Sequence, residues 1–159
     1  MDLKQSILEL AQRLLAKHWC IATAESCTGG GLAYALTQIS GSSDWFERGL
    51  VTYSNSSKHD LLGVSLDLIA KHGAVSEAVA VAMAIGVLAR YPVDVSVAIT
   101  GIAGPGGASI DKPVGTVWFA WAGREVATQT RLMHFDGDRQ TVREQAIQFV
   151  IGELITSIP

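Results

Sequence analysis

The period of the apolar positions changes from segment to segment along this chain, and each change marks an element. Leu3, Ile7, Leu10 and Leu14 recur every three to four residues, which predicts an amphipathic helix over about 2–17. "CIATAES" is a short run of small and β-branched residues and predicts a buried strand. "TGGGLAYALTQI" predicts a helix opening on its glycines, "GSSDWFERG" a loop, "GLVTYS" a strand, and "NSSKHDLLG" a short helix capped by Asn55 or Ser56. Ser76 precedes Val79, Met83 and Val87, which share one helical face, so a helix over 76–90 is expected, stopped by Tyr91 and Pro92. "VDVSVAIT" alternates and is β-branched, a strand. "VGTVWFAWA" and "REVATQTRLMHF" predict two antiparallel strands turning near Gly123, and residues 136–158 a long closing helix.

That order predicts an α/β fold: a single-domain, three-layer α/β/α sandwich with a mixed sheet, occupying residues 1–159. A hydrophobic content of 48% with 17% charged residues suits one compact core. No apolar run reaches the roughly 18 residues of a membrane span, and the N-terminus alternates charge with leucine, so no membrane partner and a cytoplasmic location are expected. The net charge of -3 comes without a basic run, which argues against nucleic acid as a partner. Cys20 and Cys27 lack zinc-site spacing, and His18, His59, His72 and His134 are scattered singly, so no metal is expected.

Two glycine-rich segments each follow directly on a strand, and in open α/β sheets ligands bind beyond the carboxyl ends of strands. Gly29, Gly30 and Gly31 in the first, and Gly101, Gly104, Gly106 and Gly107 in the second, allow backbone N–H groups to approach an anion or a developing oxyanion. The same glycines also suit plain strand-to-helix turns. Neither segment is a Walker A loop or a dinucleotide fingerprint. Ser26 stands at a strand-to-helix junction, as a nucleophile or as a helix cap. Cys27 is the rival nucleophile or a small buried hydrophobe, and Thr28 a second possible cap. No Ser-His-Asp arrangement is visible. Lys58 is the alternative base, because a desolvated lysine loses its proton more easily; it also reads as a solvated helix residue. Tyr53, at the end of "LVTY", is placed to orient or relay a proton, or is an edge aromatic.

"AESCTGG", "FERGLVTYSNSSK", "HGAVSE", "SVAITGIAGPGG" and "KPVGTVWFAW", in this order, resemble the CinA C-terminal-domain family over nearly the whole chain. Free-standing members of that family are nicotinamide-nucleotide amidohydrolases. The resemblance implies hydrolysis of the carboxamide of nicotinamide mononucleotide by a serine–lysine mechanism without a cofactor. Ser26 would be the nucleophile, Lys58 the base and Tyr53 the auxiliary group. Longer members carry a further N-terminal domain, whose activity is not expected here. Ala108, Ser109 and Gly31 depart from the usual pattern. Backbone N–H groups around Thr28, Gly29 and Gly30 would hold the oxyanion. For the substrate phosphate the expected partners are the loop of Gly101, Gly104 and Gly106, assisted by Ser42 or Ser43, with Arg139 or Arg143 as the alternative. Glu25, Trp45 or Phe46 would face the pyridinium ring. A homodimer is the expected assembly. The competing expectation is a catalytically inactive nucleotide-binding or regulatory paralogue.

Overall fold

The computed structural model describes residues 2–159. Its elements are α1 (Leu3–Lys17), β1 (Ile21–Glu25), α2 (Gly31–Thr37), β2 (Phe46–Val51), α3 (Asn55–Leu62), α4 (Leu66–His72), α5 (Glu77–Arg90), β3 (Val95–Gly101), β4 (Thr116–Gly123), β5 (Gln129–His134) and α6 (Arg139–Ser157), with a short 3-10 turn at Ser42–Asp44. The sheet order is β2-β1-β3-β4-β5; β1 is parallel to both neighbours, and the β3–β4 and β4–β5 pairs are antiparallel. This is the mixed sheet and three-layer architecture expected from the pattern. Among the described residues no helix is long and apolar enough to cross a membrane.

Strand alternation sorts the two faces by side-chain size. Ile21, Val95, Val97, Ile99, Phe119 and Trp121 point to one face, where Leu10 and Leu14 of α1, Leu32 and Leu36 of α2, and Val142, Val150 and Leu154 of α6 cover them. The opposite face offers Ala22, Ala24, Ala98, Ala120 and Ala122 to Val79, Met83 and Val87 of α5. Alanines let α5 approach so closely that the Ser96 hydroxyl donates to the Ala84 carbonyl at 2.7 Å. Gly86 continues this tight packing on the outer side of α5, because a Cβ there would fall on the Leu62 carbonyl oxygen. Alanine would gain about 1 kcal/mol of helix propensity, but a backbone oxygen cannot turn aside as a side chain can. Gly86→Ala is therefore expected to lower the unfolding free energy by about 1–3 kcal/mol, as measured by denaturant melts.

Several boundaries differ from the pattern-based expectation. The second strand begins at Phe46, inside the expected loop, and ends at Val51, leaving Tyr53 beyond it. As an edge strand it buries only every other side chain in part, a weak apolar signal. Ser54 caps α3, its hydroxyl accepting from Ser57 N, where Asn55 or Ser56 was expected. α2 opens at Gly31 rather than Thr28, and β5 starts at Gln129. α4 was not anticipated: it has seven residues and buries only Ile69, too little to display a period.

Candidate active site

β1 is flanked by parallel strands whose connections leave in opposite directions. The chain passes from β1 through α2 to β2 on one side, then through α3, α4 and α5 to β3 on the other. Such a switch point opens a crevice at the carboxyl ends of the strands. A cavity of about 310 Å³ lies there, lined by Ser26 and Cys27 after β1, Tyr53 after β2, Lys58 of α3, Ala74, Val75, the Thr100–Gly104 segment with Gly106 and Gly107, and Arg139 of α6. A larger surface groove of about 650 Å³ runs along α1 past Gln5, Glu9 and Arg13, but it holds no nucleophile and base side by side.

Local structure explains how Lys58 enters this cavity. α3 starts immediately after β2, and its inward face presents Leu62 and, one turn earlier, Lys58. Leu62 packs into the core beneath α5, while Lys58, 1% exposed, folds its chain back over the preceding segment. Its Nζ donates to the carbonyls of Thr52 at 2.8 Å and Tyr53 at 3.2 Å, and stands 3.1 Å from Ser26 Oγ. Among the described residues no carboxylate lies within ion-pair distance of it. Burial without a counter-ion depresses the Lys58 pKa below the ordinary lysine range. A neutral amine has two N–H groups, which match the two carbonyls, and one lone pair, which is left for the Ser26 hydroxyl.

Ser26 Oγ is fixed by its turn. Ser26 N extends the β1–β3 ladder by donating to Ile99 O at 2.9 Å, and Gly29 N donates back to Ser26 O at 3.0 Å, closing a turn over Ser26–Gly29. Gly29 and Gly30 then take φ of 59° and 97°, which only glycine adopts freely. The structure gives Ser26 no helix-capping bond, since α2 begins five residues later with Gly30 as its N-cap. Cys27 is buried, and burial above all raises its thiol to about 12, so it is a protonated thiol at neutral pH.

The remaining expected site residues divide clearly. Gly101, Gly104 and Gly106 line the cavity, as does Arg139, whose guanidinium donates to Gly104 O at 2.8 Å and to the Tyr53 hydroxyl at 3.1 Å. Tyr53 thus turns its carbonyl to Lys58 and its hydroxyl to the cavity rim. Glu25 does not face the cavity: its carboxylate accepts from Leu32 N at 2.8 Å and Ala33 N at 3.1 Å, capping α2 from below. Ser42 and Ser43 precede β2, so the length of that strand separates them from the carboxyl-end crevice. Trp45 is buried in the core and Phe46 packs against it, which removes both as ring-stacking partners. Thr28, Gly29 and Gly30 form the turn behind Ser26 and are not among the lining residues; Arg143 holds backbone carbonyls of that turn. Sequence reasoning passed over Thr100, which lines the cavity with its hydroxyl on Ala74 O at 2.9 Å. Its position at the end of β3, directly before the first glycine of the second loop, was the available signal.

Fold and cavity together define a three-layer α/β protein with a serine–lysine pair at the carboxyl ends of its parallel strands. The CinA C-terminal domain family model matches residues 3–158, and the chain belongs to that family. It is 54% identical over 142 residues to the nicotinamide-nucleotide amidohydrolase PncC of Enterobacter agglomerans, covering 89% of this chain and 87% of that one. The enzyme of the same name from Escherichia coli K12 is 50% identical over 153 residues, 96% and 93% of the two chains. A CinA superfamily protein from Klebsiella pneumoniae superposes with a TM-score of 0.94 at 38% identity, covering 99% of this chain and 98% of that one.

Proposed function

We propose that the chain hydrolyses the carboxamide of nicotinamide mononucleotide to nicotinate mononucleotide and ammonia, with Ser26 as nucleophile and Lys58 as base. The observation that carries this reading is the buried, ion-pair-free Lys58 amine 3.1 Å from Ser26 Oγ, in a chain half identical to proteins named for that reaction. Lys58 takes the Ser26 proton as the oxygen attacks the carboxamide carbon. The resulting lysine ammonium protonates the departing nitrogen, ammonia leaves, and a nicotinoyl ester remains on Ser26. Water enters, gives a proton to Lys58 and attacks the ester carbon; the proton returns to Ser26 and the acid is released.

Backbone amides following Ser26 stabilise the oxyanion. Apart from the Lys58 base, Arg139 is the basic side chain among the residues lining the cavity, and it supplies the phosphate contact. The N–H groups of Ala103, Gly106 and Gly107, which donate to no protein acceptor among the described residues, assist it. Incubation with nicotinamide mononucleotide is expected to release one ammonia per nicotinate mononucleotide formed, read by coupled ammonia assay and chromatography. Binding of the nucleotide without ammonia release would instead establish the inactive paralogue.

A further inference from the structure

We infer that Arg143 is a positioning residue that sets the orientation of the oxyanion-binding peptide behind the nucleophile. The inference rests on the amidohydrolase reading, and it starts from what this arginine touches. Arg143 Nε donates to Cys27 O at 3.1 Å and its Nη2 to Thr28 O at 3.3 Å. No carboxylate among the described residues lies within ion-pair distance of it. Its charge is therefore directed at two backbone carbonyls from across the fold, on a helix 116 residues away in sequence.

A trans peptide points its C=O and N–H in opposite directions. Holding Cys27 O towards α6 turns the N–H of Thr28, in the same peptide, away from α6. Within the turn Ser26 N donates to Ile99 O, Gly29 N to Ser26 O and Gly31 N to Thr28 O, whereas Cys27 N and Gly30 N donate to no protein acceptor among the described residues. Thr28 N likewise donates to no protein acceptor among the described residues, and with Cys27 N, on the adjoining residue that lines the cavity, it is available to a developing oxyanion. A guanidinium on the carbonyl also polarises that peptide and makes its N–H a stronger donor. The turn is built to admit the guanidinium, since a Cβ on Gly29 would stand 3.1 Å from Arg143 Nη2. Arg139 and Arg143, one turn apart on α6, thus reach the two glycine loops separately: Arg139 holds Gly104, and Arg143 the serine turn.

The test compares the full-length parent with Arg143→Met and Arg143→Lys. Three quantities are read: kcat and KM on nicotinamide mononucleotide, the rate of Ser26 phosphonylation by a phosphonofluoridate followed by intact mass, and the thermal midpoint. The Met variant is expected to lose about tenfold or more in kcat with KM within about twofold, and to label more slowly by a similar factor. The Lys variant, with a charge but no fork, falls between. A rise in KM at unchanged kcat would make Arg143 a substrate contact and overturn the inference. So would unchanged kcat and labelling in a variant whose midpoint alone has dropped, which is the behaviour of a structural contact. If the parent labels at Ser26 yet leaves the nucleotide intact, the substrate assignment fails while the labelling comparison still decides the role of Arg143. A parent inert to both defeats both.

Discussion

Ser26→Ala is expected to remove ammonia release from nicotinamide mononucleotide, lowering kcat by about 10⁴-fold or more, because in the proposed mechanism the ester intermediate forms on this hydroxyl. Cys27, the adjacent candidate, is buried and its thiol is raised to about 12, so its thiolate is scarce at neutral pH. Cys27→Ala should accordingly keep activity near the parent level, and a loss there with Ser26→Ala still active would reverse the assignment. The Ser26→Ala protein should remain folded. The Lys58 amine keeps its two carbonyl partners, Thr52 O and Tyr53 O, and the bonds lost are the one between Lys58 Nζ and Ser26 Oγ and a long one of 3.5 Å from Ser26 Oγ to Tyr53 O, each worth about 1 kcal/mol at most. Denaturant melts beside the ammonia assay separate the chemical effect from unfolding.

Lys58→Arg and Lys58→Met are each expected to lower kcat by about 10³-fold or more. Arginine keeps N–H donors at this position but stays protonated near neutral pH, so it cannot accept the serine proton. A fully active Arg variant would exclude Lys58 as the base. The pH dependence carries the same argument. In the proposed mechanism activity needs the neutral amine, so kcat/KM should rise with pH as Lys58 deprotonates, and burial places that limb below the usual lysine value of about 10.4. Stability follows the same sign. Between the lowered folded pKa and the ordinary unfolded one, the unfolded chain binds more protons, so unfolding free energy increases with pH through that window. Lys58→Met should flatten that increase.

The periodic elements were legible in the sequence for a physical reason. α1 and α5 each bury a regular subset of side chains, which leaves a regular apolar pattern, and β3, buried on both faces, leaves a run of β-branched and small residues. Edge strand β2 and short α4 bury too little to leave one. Ser26, Lys58 and the second glycine loop were legible as candidates by residue type and by their position at or soon after strand ends, and Arg139 as an alternative phosphate partner at the start of the final helix. Glu25 was not read correctly, because a carboxylate preceding a nucleophile looks the same whether it faces a ligand or caps the next helix. Its two bonds to Leu32 N and Ala33 N are made by residues of a helix that turns back beneath it. Ser42 and Ser43 illustrate a related failure: small hydroxyl residues in a glycine-containing loop suggest anion binding, but the direction of β2 sends that loop to the other end of the sheet.

By itself, then, the chain's order of residues determined the kinds of element, which strand faces are large or small, and the two glycine turns, since each depends on neighbours a few positions away. The tertiary structure alone decided that Lys58 meets Ser26 across 32 residues, and that its amine is buried with no carboxylate among the described residues within ion-pair distance. It also decided that Arg139 and Arg143 serve different loops from one helix. Those outcomes follow from parallel pairing of β1 with β2 and β3, which sets three strand ends side by side, and from the exclusion of water that shifts a lysine's proton affinity. Neither is a property of any segment taken singly.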